Sequence, residues 1–368
     1  MQALLKHRIV VLCQHGDFSR QVAAGVAAIP QVECMLGLPP GSKSMSFAAR
    51  LGLPFLVLDP NEPSSLQRLL EGTFAVINLR GPFLGREDVV IAARCAALGV
   101  HYVDPADDRR YIAEFLRLGR DAREHKALLV TGAGAAPGVT DALAGLLCEG
   151  FSRVNEIHIF IAPGLADQRE LAIARSVMAH AAPVRVKQGG RYREQPWWER
   201  PQTVRFPDPI GRRRGYLCDL PELELFAKRF DARTVTTRAG FAPGLLNQIL
   251  ANLSGQQEKR NGHAKSLSPA LGMLLRAAAR FSRAHSNSAA VRVAVQGVRR
   301  GIEEEHVAYL IGRDGAGPAI AAAPIAALIR KWLEHGVPDT GASTCLGMLD
   351  FDDLKPALIG HDVVLVRE

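Results

Sequence analysis

Residues able to hold a phosphate or move a proton recur in this chain just after short apolar runs. Gly16, Asp59, Asn78 to Phe83, Asp104 and Gly132 to Gly138 all stand in that position. The first group follows the run ending at Leu12 and reads Cys13-Gln14-His15-Gly16-Asp17-Phe18-Ser19. A G-x-G-x-x-G run there would turn tightly, let a pyrophosphate approach the backbone and pack the next helix closely. Only the middle glycine is present, although Cys13 and Ser19 are small. Asp17 adds a negative charge at a helix start, where a phosphate needs free amides, and Arg20 stands near enough to offset it. After the second apolar run, Leu36-Gly37-Leu38 lacks the acidic residue that would bind the ribose of NAD. Lys43 follows. The pattern leans toward NADP, with NAD left open. For proton transfer the candidates are His101, Asp104, Tyr216 and Glu222, with Asp104 first by position. Each has a plainer reading too: Asp104 as a helix cap, Gly81-Pro82 as a turn.

The elements that must carry these residues alternate in type. Strands are expected at Arg8–Leu12, Val32–Leu36, Pro54–Leu58, Phe74–Leu79, Val100–Val103 and Ala127–Val130. Helices are expected at Arg20–Ala28, Ser44–Leu51, Glu62–Leu70, Glu87–Leu98, Arg110–His125 and Gly138–Cys148, with apolar residues at helical spacing. Short apolar strands alternating with helices predict an α/β fold, a doubly wound parallel sheet covered on both faces. Ligands of such sheets bind at the carboxyl ends of the strands, where the polar residues above fall.

The 368 residues exceed one average core and predict two domains. A first domain is expected over 1–150, a mixed α/β substrate and dimerisation domain over 151–318, and a return segment over 319–368 that packs on the first. In the second domain, Glu156–Ile161 and Thr234–Arg238 read as strands, and Gln168–Ala181 and Pro269–Ala284 as helices. Ser254–Ser268 reads as a polar loop. Ala290–Val298 with His306–Ile311 forms an antiparallel hairpin, Pro324–Glu334 the last helix, and Val363–Val366 a closing strand. Pro183 to Gly215 shows no periodicity but holds Arg185, Arg191, Arg193, Arg200, Arg205 and Arg212 to Arg214 beside Trp197 and Trp198. Arginines in such a loop suit a carboxylate or phosphate, or a solvated surface.

Net charge is +8, with no aromatic RNA-binding box or helix-turn-helix signal, so no nucleic-acid partner is expected. The six cysteines lack C-x-x-C spacing and read as buried, reduced thiols. No histidine spacing suits a metal. No targeting or membrane-spanning run is visible, and a cytoplasmic protein without a membrane partner is expected.

Three segments carry a resemblance. Val76-Ile77-Asn78-Leu79-Arg80-Gly81-Pro82-Phe83, Gly99-Val100-His101-Tyr102-Val103-Asp104 and Gly134-Ala135-Ala136-Pro137-Gly138-Val139-Thr140-Asp141 resemble, in order, segments of the saccharopine dehydrogenase-like reductases. Tyr216 to Glu222, and Ala319 to Leu333 with the later Gly341-Ala342, are similar to later parts of that family. The resemblance implies a Rossmann-type domain and an NAD(P)-dependent oxidoreductase, with hydride passing to or from a C=N or C=C bond of a small anionic metabolite. It implies that Gly16, Phe18 and Ser19 approach pyrophosphate and that Asp59 lies near adenine. Asn78, Gly81, Pro82 and Phe83 would line the nicotinamide side, and Asp104 and Gly134 would face the reaction crevice. Tyr216, Glu222 and Arg193 are the substrate candidates, and a homodimer is implied by the same analogy. The glycine loop and the end of the second strand depart from the family. Those departures motivate the alternative, a non-catalytic binding or regulatory protein on the same fold.

Overall fold

The computed structural model describes residues 6–58, 63–81, 83–84, 89–164, 183–241, 244, 247–248, 250–251 and 287–368. Asp59, Pro82, the helices expected at 168–181 and 269–284 and the loop expected at 254–268 lie outside the described residues. The chain divides into two compact units. One comprises Met1–Val139 with Ala321–Ile359, the other Thr140–Ile320 with Gly360–Glu368.

The first unit is built on parallel strands. In chain order these are β1 (His7–Leu12), β2 (Val32–Leu38), β3 (Phe55–Val57), β4 (Ala75–Asn78), β5 (His101–Val103) and β6 (Leu128–Thr131). The later β15 (Gly341–Thr344) joins at the β6 edge. The sheet order is β15-β6-β5-β4-β1-β2-β3. The order reverses at β1, which pairs with β2 on one side and β4 on the other. Ile9 to Leu12, Ala75 to Ile77 and Leu128 to Val130 are buried, as a sheet covered on both faces requires. Each fully buried Val, Ile or Leu contributes about 1.5–3 kcal/mol.

Between the strands run α1 (Asp17–Ala27), α2 (Ser42–Leu51), α3 (Pro63–Leu70), α4 (Val90–Ala97), α5 (Arg109–Leu116) and α6 (Gly119–Glu124). α1 buries Val22, Ala23 and Val26. The single helix expected over Arg110–His125 is two helices. Its break brings Gly119 against β15, so that a Cβ there would lie 3.4 Å from the Ala342 amide nitrogen. Asp108, not Asp104, caps α5, accepting from the Tyr111 amide at 2.8 Å.

The second unit starts at Thr140 with α7 (Thr140–Cys148). Its central strand β7 (Phe151–Ala162) is flanked by β12 (Thr234–Ala239) in parallel and β13 (Ala289–Arg299) antiparallel. Outward lie β11 (Arg212–Leu217) and β10 (Gln202–Arg205) on one side, and β14 (Ile302–Gly312) and β16 (Val363–Arg367) on the other. A small hairpin, β8 (Val184–Gln188) with β9 (Arg191–Gln195), pairs with β12 through β8. It turns at Gly189 and Gly190, both at positive φ. The β13–β14 hairpin turns at Arg300 and Gly301, also both at positive φ, as a two-residue turn matched to strand twist demands. α8 (Glu222–Arg229) packs on β12. α9 (Gly317–His335) and α10 (Phe351–Leu358) follow later in the chain. All six cysteines are free thiols, and Cys148 is the least buried.

Candidate functional site

The point where strand order reverses in the first unit lies between β1 and β4, and the crevice of a doubly wound sheet opens there. Leu12 is in register with Gly37 on one side and Asn78 on the other. Beyond that row the Cys13 amide donates to the Gly37 carbonyl at 3.1 Å and the Leu79 amide to the Leu12 carbonyl at 2.7 Å. The loops after β1, β2 and β4 therefore start side by side.

Gly16 caps α1 with an extended backbone, and a Cβ placed on it would meet nothing within 4 Å. The space beside this helix start is open. Ser19 is buried and Phe18 half-buried. Asp17 stands in the first turn, ion-paired with Arg20 at 3.4 Å. Cys13, at the loop's first position, is buried, and its thiol is pushed up to about 12 by desolvation and by Cys34. It is a packing residue. His15 Nε2 lies 3.0 Å from Ser44 Oγ, and Ser44 donates its hydroxyl proton to the Pro39 carbonyl. This bond ties the loop after β1 to α2, a link not readable in the sequence. Lys43 is exposed in the first turn of α2.

Across β4, β5 and β6 the carboxyl ends share one buried hydrogen-bonded chain. The Asn78 amide donates to the Tyr102 hydroxyl at 3.0 Å. The Tyr102 and Tyr111 hydroxyls are 3.4 Å apart, and Tyr111 donates to Asp104 Oδ2 at 2.7 Å. Asp104 Oδ1 accepts from Thr131 Oγ1 at 2.7 Å and from the Ala106 amide at 2.9 Å. Burial raises the Asp104 pKa, while the Thr131, Tyr111, Ala106 and Tyr102 donors act against the rise. Tyr102 is raised well above its usual range, first by burial and then by Asp104 and Tyr111.

Asn78 Oδ1 in turn accepts the Arg80 amide at 3.1 Å, which fixes the loop leaving β4. Gly81 lies against Phe83, whose ring would be 3.2 Å from a Cβ there, and the Phe83 ring meets Tyr111 at 5.1 Å. Gly134 packs on Pro105, with its carbonyl 3.1 Å from a Cβ built there. Ala135–Val139 then forms a wide turn with a cis Ala136–Pro137 bond.

The structure thus brings Gly16, Phe18, Ser19, Asn78, Gly81 and Phe83 to the carboxyl ends of β1 and β4, and Asp104 and Gly134 to those of β5 and β6. Other expected residues are placed differently. Asp104 has no exposed atom to offer a substrate; it is the acceptor at the end of the buried chain. His101 begins β5, in register with Ala75, the first residue of β4. Three residues of strand, about 10 Å, separate it from the Asp104 end. Its Nδ1 accepts the Leu128 amide at 3.0 Å, its ring touches Trp332, and burial lowers its pKa. That is a packing role at the amino edge, away from the crevice.

In the second unit, Tyr216 is buried in a parallel stack on Trp198, with centroids 5.5 Å apart. Glu222 is fully buried and accepts from Thr140 Oγ1 at 2.6 Å. Arg193 is exposed on β9, which pairs with β8. The first two are core contacts of their unit and the third is a surface cation.

Tyr102, Tyr111 and Thr131 belong to the site and were not singled out in the sequence, whereas Arg80 stands within the expected Asn78 to Phe83 run. Tyr102 sits inside an apolar strand and Tyr111 inside a charged helix, so no local pattern marks them as partners. Among the described residues no group of His, Cys, Asp or Glu is arranged to hold a metal ion, and no helix is long and apolar enough to cross a membrane.

No family model and no curated protein matches the sequence. Solved structures do match in fold. Saccharopine dehydrogenase (L-Glu forming) from Saccharomyces cerevisiae superposes with a TM-score of 0.69 at 12% identity, over 98% of this chain and 100% of that one. DAP dehydrogenase from C. glutamicum, in complex with DAP, superposes with a TM-score of 0.51 at 13% identity, over 96% and 99%. The chain has the fold of saccharopine dehydrogenase: a Rossmann-type, doubly wound α/β unit followed by a second unit built on a mixed sheet.

Proposed function

We propose that this protein is an NAD(P)-dependent oxidoreductase that moves hydride to or from a C=N or C=C bond of a small anionic metabolite. The observation carrying this reading is the reversal of strand order between β1 and β4, with an open helix start at Gly16 beside the fixed Asn78 loop. A dinucleotide lies across such a reversal with its pyrophosphate at the helix start. Sharing a fold with two dehydrogenases supports the reading. The residues present fit the group: small or glycine side chains on one side, and an amide-anchored loop with Phe83 on the other. The cofactor would supply the hydride chemistry. Gly16 and Ser19 would receive the pyrophosphate, and Asn78, Gly81 and Phe83 would set the nicotinamide side. Asp104 would act as a positioning residue, holding Tyr111 and, through Tyr102, Asn78. No acidic residue ends β2 and Lys43 follows, which favours NADP over NAD.

A second reading, a binding or regulatory protein with weak nucleotide affinity, is favoured by Asp17 in the first turn of α1. Calorimetric titration with NADPH, NADH, NADP and NAD separates the two. Micromolar binding of one supports the oxidoreductase and names its cofactor. No binding by any overturns that reading in favour of the second.

A further inference from the structure

We infer that Arg80, rather than the glycine loop, supplies the main positive charge for the diphosphate of the dinucleotide. This inference rests on the dinucleotide reading above. The loop after β1 is poor in the groups that hold a diphosphate. In the loop after β1, only Gly16 of the expected glycines is present. Asp17 adds a negative charge in the first turn of α1, where the helix amides would otherwise favour an anion. Arg20, the nearby cation, is paired with that aspartate.

The compensating charge stands on the other side of the strand reversal. The Leu79 amide binds the Leu12 carbonyl, so Arg80 leaves β4 directly beside the point where Cys13 leaves β1. Its backbone is pinned by Asn78 Oδ1 at 3.1 Å, and Asn78 is itself anchored on Tyr102. The guanidinium is half-buried, and burial lowers its pKa. No carboxylate among the described residues pairs with it. A half-desolvated guanidinium that no described carboxylate pairs, at the carboxyl end of a central parallel strand, suits a bidentate anion. A diphosphate spanning the β1–β4 reversal is the anion that location would receive.

The test compares wild type with Arg80→Gln and Arg80→Lys by calorimetry, using NADPH and ADP-ribose, which share the diphosphate. Melting temperatures check that each variant is folded. For Arg80→Gln we expect at least about tenfold weaker binding of both ligands, the scale of a lost charged hydrogen bond. Arg80→Lys keeps the charge and should lose less. The gap between wild type and Arg80→Gln should shrink at high salt, which a purely structural defect would not produce. Unchanged NADPH affinity in Arg80→Gln overturns the inference, as does a loss confined to NADPH with ADP-ribose unaffected, or an equal loss in both variants. If wild type binds neither ligand, the dinucleotide reading itself falls, a result distinct from all of these.

Discussion

Tyr111 donates its phenolic proton to Asp104 across 2.7 Å, with both side chains fully buried in the first unit. Asp104 therefore ends a chain that runs through Tyr102 to Asn78 and so to the loop bearing Arg80. Removing the hydroxyl with Tyr111→Phe leaves the carboxylate short of one donor. We expect a loss of about 1.5–3 kcal/mol in urea unfolding, the value of a hydrogen bond to a charged group. A loss within about 0.5 kcal/mol, as for an ordinary surface change, would deny the chain its structural weight.

The same carboxyl makes stability depend on pH. Burial raises its pKa above the ordinary 3.8, so the unfolded chain ionises first as pH rises. The stability linked to protonated Asp104 is present below 3.8 and is lost as pH rises through the folded value. Asp104→Asn cannot titrate. Plotted against pH in the acid range, the stability difference between wild type and this variant should fall from wild type's side as pH increases. A flat difference would show that the folded and unfolded values are equal.

Two glycines near the reversal separate binding from stability. A Cβ at Gly37 would lie 2.4 Å from Leu12 Cδ2, so Gly37→Ala must push a buried leucine aside. It should cost about 1–3 kcal/mol, as overpacking does. Gly16 has an extended backbone and open space, so Gly16→Ala should leave the melting temperature unchanged while weakening dinucleotide binding. Full affinity in Gly16→Ala would place the pyrophosphate elsewhere.

Much of the first unit was legible because its strands are short and apolar and its helices repeat at helical spacing. Ile9 to Leu12 and Val22, Ala23 and Val26 announce themselves. β15 was not legible: Gly-Ala-Ser-Thr has no strand character alone and is recruited by pairing with Leu128–Thr131. In the second unit Gly189-Gly190 is a hairpin signal, but charged residues hide the alternation in β8 and β9. At the site, glycines and the Asn78 loop could be placed from pattern. The partners of Asp104 could not, because Tyr111 and Thr131 are brought to it by tertiary packing from 7 and 27 residues away.

His101 offers a test of placement. Because burial lowers its pKa, the folded state resists protonation, and stability present above 6.5 is lost as pH falls below it. In His101→Asn that loss should be smaller than in wild type, with the unchanged His158, also lowered by burial, accounting for part of what remains. Unfolding midpoints between neutral and mildly acid pH would read the difference. If a reduction is found for the protein, its turnover should persist in this variant, since His101 stands at the amino end of β5. Turnover lost in a folded His101→Asn would contradict the placement.

Asp17 opposes an anion at the start of α1. Its carboxylate occupies the first turn of α1, where the positive end of the helix dipole would otherwise face a phosphate. Replacing it with asparagine keeps the size and removes the charge, and it frees Arg20 from their 3.4 Å ion pair. Dinucleotide affinity should rise by about two- to fivefold, the effect of one charge at a helix terminus. The exposed pair itself is worth at most about 1 kcal/mol, so stability should hardly change. If affinity falls instead, Asp17 contacts the cofactor directly, as a hydrogen-bond acceptor to a ribose or an amide would. The helix start would then be built to read a hydroxyl rather than to neutralise a phosphate.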